Sequence, residues 1–282
     1  MSVLQKTYTF FLHLFALIGV TFVIVFFLMR FDLLNVRGTI DARNEFFLGT
    51  TTPKELVYNC VDHSIEKCPW NESPEWAVVK GGLEKDAEVI ARVAGETGVP
   101  ARLIAAAVIP EQIRFFTSER EIFKRYFEPL KILGSLSQFS LGVSGIKQET
   151  AENIERFAND TSSPFYRDSK FAKLLQYEDT TPPLPEQLYN RLTDEKDHYY
   201  SYLYTAINLA QYLHQWKEAG YPIDDKPEIL TTLFNLGHQK SEPKSTPSAG
   251  GAGISVGGSV YVFGQLGGLF YASDELTDIF PR

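Results

Sequence analysis

Glu111 is the residue whose type and setting point most directly to chemistry. It follows the apolar run Leu103-Ile104-Ala105-Ala106-Ala107-Val108-Ile109-Pro110 and precedes Phe115 and Phe116. A carboxylate at the end of a buried helix, beside aromatic rings, loses hydration. That favours the protonated form, which is the form a general acid needs near neutral pH. Pro110 lacks an N–H, so the helix is expected to kink or end there and release a carbonyl. The plain alternative is a solvated carboxylate at a helix end. No second acid sits where it must be catalytic: Asp194, Glu195 and Asp197 precede His198-Tyr199-Tyr200 and read as a solvated first turn. The Gly250–Gly258 run lacks the Gly-Lys-Ser/Thr ending of a phosphate loop. No cofactor is indicated. Cys60 and Cys68 have only His63 as a further ligand nearby, too few donors for a metal site. In an oxidising compartment the two cysteines could close a short disulfide loop, with two unpaired thiols as the alternative.

The elements that would position Glu111 are mostly helical. Val89, Ile90, Val93 and Ala94 keep helical spacing, Gly98 stops that segment, and Pro100 suits the first turn of the next. Leu103, Ile104, Ala107 and Val108 give an apolar face. Further helices are expected at about 119–132, 147–158, 167–176 and 185–193. The clearest spans Tyr199–Ala219, with Leu203, Ile207, Ala210, Leu213 and Trp216 in period. One alternating strand is expected, Ser255–Phe263. Residues 240–258 are rich in Gly, Ser, Pro and Ala and read as a loop that packs no core. They separate a helix ending near Leu236 from a final aromatic segment, Tyr261–Tyr271. The fold class is mainly α.

Whole-chain arithmetic bounds the rest. Of 282 residues, 44% are hydrophobic, which excludes wholesale disorder. Acids outnumber bases 35 to 27, so a nucleic-acid binder driven by phosphate neutralisation is disfavoured. Aromatic residues are in excess at 13%, and much of the Phe lies in one uncharged run, Tyr8 to Met29. At 1.5 Å per residue such a run spans the ~30 Å hydrocarbon core, so residues 1–30 read as a transmembrane anchor. A cleaved signal peptide is the alternative, and no small-residue cleavage site follows. Lys6 on one side and Arg30 and Arg37 on the other leave the orientation nearly tied by charge. Without the two bases of residues 1–30 the remainder carries −10. The organisation expected is an anchor at 1–30, a lead-in with the cysteine pair at 31–82, and a helical domain at 83–282.

Three short motifs add a resemblance. Thr97-Gly98-Val99-Pro100 through Glu111 is similar to the start of the lytic transglycosylase domain of lysozyme-like enzymes, with Gln112 where that family usually has Ser. Ser140-Leu141-Gly142-Val143-Ser144-Gly145-Ile146-Lys147-Gln148-Glu149-Thr150-Ala151 resembles the family's stretch of Ser, Gly, a Gln-Ile pair and a downstream Thr-Ala. A gap-free alignment puts Gly145 at the family's glutamine; a shifted one puts Gln148 there. Leu233-Phe234-Asn235-Leu236-Gly237 resembles Tyr-Asn-x-Gly, with Tyr204–Tyr212 similar to the preceding helix and Phe234 lacking the hydroxyl. Tyr261 or Tyr271 could supply one. The resemblance covers about residues 85 to 275. It implies a lysozyme-like helical domain behind the anchor, facing the periplasm from a bacterial inner membrane. It implies peptidoglycan glycan strands as substrate, Glu111 as the single acid and base, and Gln112, Ser140, Gly145, Gln148, Asn235 and Tyr261 as glycan-binding positions. The other outcome it leaves open is a degenerate, non-catalytic protein of that fold that binds glycan or organises cell-envelope protein partners.

Overall fold

The computed structural model describes residues 3–30, 69–117, 140–178, 184–194, 196–257 and 259–282. It is mainly helical. α1 runs Val3–Arg30, followed by α2 Pro74–Lys85, α3 Ala87–Thr97 and α4 Ala101–Thr117. A two-stranded hairpin, β1 Ser140–Leu141 and β2 Ile146–Lys147, leads into α5 Gln148–Asn159. Then come α6 Ser169–Leu174, α7 Leu184–Leu192, α8 Tyr199–Glu218 and α9 Pro227–Leu236. A second hairpin, β3 Gly253–Val256 and β4 Ser259–Val262, precedes α10 Phe263–Ala272. Both hairpins are antiparallel, with Ser140 opposite Lys147 and Ile254 opposite Tyr261.

α4 is the hub. Every residue from Arg102 to Ile113 is buried, and α2, α3, α8, α9, α10 and β3 all pack against it. A helix apolar all round is stable only when enclosed in this way. Gly98 ends α3 in the left-handed conformation, with its N–H donating to Ala94, and Pro100 opens α4. Pro110 does not end the helix: α4 continues through it to Thr117. Its missing N–H leaves the Ala106 carbonyl without its ordinary helical donor. Gly267 of α10 approaches that oxygen so closely that a Cβ there would lie 2.8 Å away.

The one buried cation of the hub, Arg102, is held by backbone carbonyls. Its guanidinium donates to Phe270, Tyr271, Ser273, Glu275 and Phe280 at 2.6–3.1 Å. Carbonyls left over at the end of α10 are thereby satisfied, and the negative end of the helix dipole meets a positive charge. Burial lowers the Arg102 pKa from its ordinary value, with Arg282 adding to the effect.

Two boundaries differ from the sequence reading. Residues 70–82, expected in the lead-in, belong to the packed body: Trp70, Trp76, Val78 and Val79 are buried, and the Trp76 ring lies 5.0 Å from Trp70 and 5.8 Å from Phe270. Ser73 caps α2 by accepting from the Trp76 N–H. The stretch 240–258, expected to pack no core, contributes Ile254 and Val256 of β3 to it. Ser241 is also buried there, accepting from the Trp216 indole at 3.0 Å. Composition missed this because two apolar residues at strand spacing suffice to bury one face. The helix expected at 119–132 and the Cys60–Cys68 pair lie outside the described residues.

Among the described residues no helix is long and apolar enough to cross a membrane. α1 is exposed along its run from Phe10 to Thr21. Within it Phe10, Phe15 and Leu17 are each about two-thirds exposed.

Candidate active site

Glu111 sits near the C-terminal end of α4 and is 3% exposed. One turn later Arg114 places its guanidinium 2.5 Å from the Glu111 carboxylate. The turn of the first hairpin closes over the same carboxylate. Gly142, Val143, Ser144 and Gly145 form a four-residue turn in which the Gly145 N–H donates to the Gly142 carbonyl at 3.3 Å. Gly142 and Gly145 have φ of +63° and +62°, a conformation glycine adopts without strain. A Cβ on Gly145 would fall 2.3 Å from both Cγ and Oε1 of Glu111. Backbone therefore lies directly on the acid, which no other residue type would permit.

The hairpin is fixed from two sides. The Gln112 amide, 1% exposed, donates to the Val143 carbonyl. The Ser144 hydroxyl donates to the Ser201 carbonyl on α8 at 2.9 Å. Gly142 lies against the Leu192 carbonyl and the Ser201 hydroxyl, themselves joined at 2.9 Å. Ends of α4, α7 and α8 thus converge on one eight-residue hairpin.

Glu111, Gln112 and Gly145 are brought together as one unit. Ser140 is the first residue of β1 and pairs with Lys147. Gln148 opens α5 and donates to Glu152 one turn later at 2.8 Å, on an exposed face. Asn235, at the end of α9, accepts the Ala252 N–H at 2.9 Å and so anchors the strand leading into β3. Tyr261 is half-buried on β4 opposite Ile254. Phe115 is buried. The sequence reading missed Arg114, whose signal was its three-residue spacing from Glu111, the spacing at which helix side chains meet.

Two further acids, Asp86 buried and Glu155 half-buried, are held by hydroxyls. Asp86, between α2 and α3, accepts from the Tyr202 phenol at 2.7 Å and lies 2.6 Å from His198 Nδ1. Glu155 of α5 accepts from the Tyr177 phenol at 2.7 Å and from that of Tyr204. Burial, reinforced by these carboxylates, raises the pKa values of Tyr202, Tyr204 and Tyr177. Such phenols are donors, not bases. Among the described residues no three His, Cys, Asp or Glu side chains are grouped to hold a metal ion.

Two open concavities among the described residues have volumes of about 310 and 370 Å³, and Glu111 lines neither. The smaller lies beside the hairpin's support, lined by Gln187, Asn190, Arg191, Asp194 and Tyr200. A scan against protein-family models finds no match to this chain, and searches of curated proteins and of solved structures find none either.

Proposed function

We propose that the chain is a membrane-anchored lytic transglycosylase acting on peptidoglycan, with Glu111 as its single acid and base. The observation that carries this reading is the seating of Gly145 on Glu111. Two motifs, singled out separately in the sequence, meet as one catalytic-type corner in which a carboxylate faces a backbone turn. The exposed Phe and Leu side chains of α1 support attachment to a membrane, since an apolar surface bare to water is unfavourable. The setting outside a bacterial cytoplasmic membrane belongs to the same proposal.

The chemistry needs one carboxyl group used twice. Protonated Glu111 gives its proton to the glycosidic oxygen between N-acetylmuramic acid and N-acetylglucosamine as the C1–O bond breaks. The substrate's own N-acetyl group supports the oxocarbenium-like centre, in place of a second carboxylate. Glu111, now ionised, takes the proton of the muramoyl 6-hydroxyl while O6 bonds to C1. A 1,6-anhydro ring closes without water and the carboxyl is protonated again. Both roles fall on one carboxyl that is buried and ion-paired with Arg114.

The same ion pair and burial favour a second reading, a non-catalytic protein of this type that holds glycan or organises an envelope complex. A turbidity assay on purified peptidoglycan sacculi separates the two. The full chain in detergent is expected to clear the suspension, and Glu111→Gln to stop clearing while still co-sedimenting with sacculi. Co-sedimentation of the unaltered chain without clearing would replace the first reading with the second.

A further inference from the structure

At the opposite end of α4 from Glu111 lies the larger concavity, about 370 Å³. Pro100 to Glu111 is eleven residues of helix, so the two sites are about 16 Å apart. Pro100, Leu103, Leu213 and Tyr271 give it an apolar floor. That floor is rigid: the Pro100 carbonyl accepts from the first turn of α4, and the Tyr271 carbonyl accepts from Arg102 at 2.9 Å.

Five ionisable side chains surround this floor: Arg167, His214, Lys217, Glu218 and Asp224. They come from three places, the segment before α6, the last turns of α8, and the loop between α8 and α9. Elsewhere, charges close to an opposite charge have paired, as Arg92 with Glu96, Lys80 with Glu275 and Arg282 with Asp274. Here two acids and two fixed bases share one concavity, and none of the five side chains ion-pairs or hydrogen-bonds with another described residue. They are held on separate elements around an opening, available to a ligand.

The balance of charge selects that ligand. Arg167 and Lys217 offset Glu218 and Asp224, so with His214 neutral the lining is formally uncharged. A polyanion such as a nucleotide would meet two carboxylates, and a purely apolar molecule would strip water from five polar groups without replacing it. A molecule carrying both an ammonium and a carboxylate satisfies both sets, with the planar Arg167 fork suited to the carboxylate. The volume is at the small end of ligand sites, which run roughly 300–1,000 Å³, and fits a dipeptide-sized body over the apolar floor. We infer that this concavity binds a short zwitterionic peptide, with its carboxylate toward Arg167 and Lys217 and its ammonium toward Glu218 and Asp224. The inference is independent of catalysis at Glu111.

Isothermal titration of the full chain in detergent with alanyl-alanine tests it. Saturable binding is expected. It should weaken about tenfold or more when either peptide end is blocked, by N-acetylation or C-amidation, because a charge-assisted hydrogen bond is worth about 1.5–3 kcal/mol. Arg167→Ala and Glu218→Gln, both exposed, should weaken binding similarly with an unchanged melting temperature. Glu111→Gln should bind as the unaltered chain does, which separates this site from the glycan reading. No saturable binding, equal binding of the blocked peptides, or displacement of the dipeptide by inorganic phosphate would each overturn the proposal.

Discussion

Gly145 and Glu111 occupy space that only one arrangement of atoms can share. Any side chain at 145 would stand within 2.5 Å of the Glu111 carboxyl carbon and would also carry a left-handed φ. Gly145→Ala should therefore cost about 1–2 kcal/mol from backbone conformation, before the collision is counted. It should reduce sacculus clearing at least as much as it reduces stability, read from urea midpoints and initial rates on the same preparation. Arg102 is the second residue on which much depends. Its five carbonyl partners span Phe270 to Phe280, so one side chain ties α4 to an eleven-residue stretch from the end of α10 onward. Arg102→Met keeps the volume but leaves those carbonyls short of a donor. A loss of about 3 kcal/mol or more is expected in equilibrium urea unfolding, since each unsatisfied buried acceptor costs about 1–3 kcal/mol.

Among the elements, α4, α9 and α10 form the tightest contact. Gly264, Gly267 and Gly268 of α10 let it approach α9 so that added Cβ atoms would meet Thr232, Thr231 and Glu228 at 2.0–2.8 Å. Gly267→Ala should destabilise by about 1–3 kcal/mol through overpacking, seen as a lower thermal midpoint. These glycines also explain what the sequence could and could not reveal. The amphipathic run of α3, the Gly98 stop and the long α8 are local patterns, and they fold as their spacing predicts. Pro110 reads locally as a break, yet α4 runs on because packing on every side outweighs one lost hydrogen bond. Trp76-Ala77-Val78-Val79 carries no clear amphipathic period, so α2 was legible only from its contacts with Phe270, far along the chain. At the site, Glu111 was legible from the apolar run before it, and Gly145 from its motif. Their contact was not, because it depends on α7 and α8 holding the hairpin from behind through Leu192 and Ser201.

At the scale of the whole molecule, acid should loosen the fold through a buried histidine. His238 lies among Phe157, Phe165 and Tyr212, with ring centroids 4.8–4.9 Å away, and has Gln211 Oε1 3.0 Å from its Nε2. Burial, with Arg156 nearby adding to it, pushes its pKa down to about 4 from the ordinary 6.5. The unfolded chain therefore binds this proton first as the pH falls. The stabilisation is complete above pH 6.5 and is lost progressively down to about pH 4, a swing of about 3 kcal/mol. Melting temperatures of the full chain across that window should fall, and His238→Gln should flatten the decline.

The measurement that bears most directly on the central claim is mass spectrometry of the fragments released from peptidoglycan by the full chain. Muropeptides ending in 1,6-anhydro-N-acetylmuramic acid, lighter by one water than hydrolysed ends and absent with Glu111→Gln, are the predicted result. Release of ordinary reducing ends, or of no fragments at all, would contradict a single-carboxylate transglycosylase centred on Glu111.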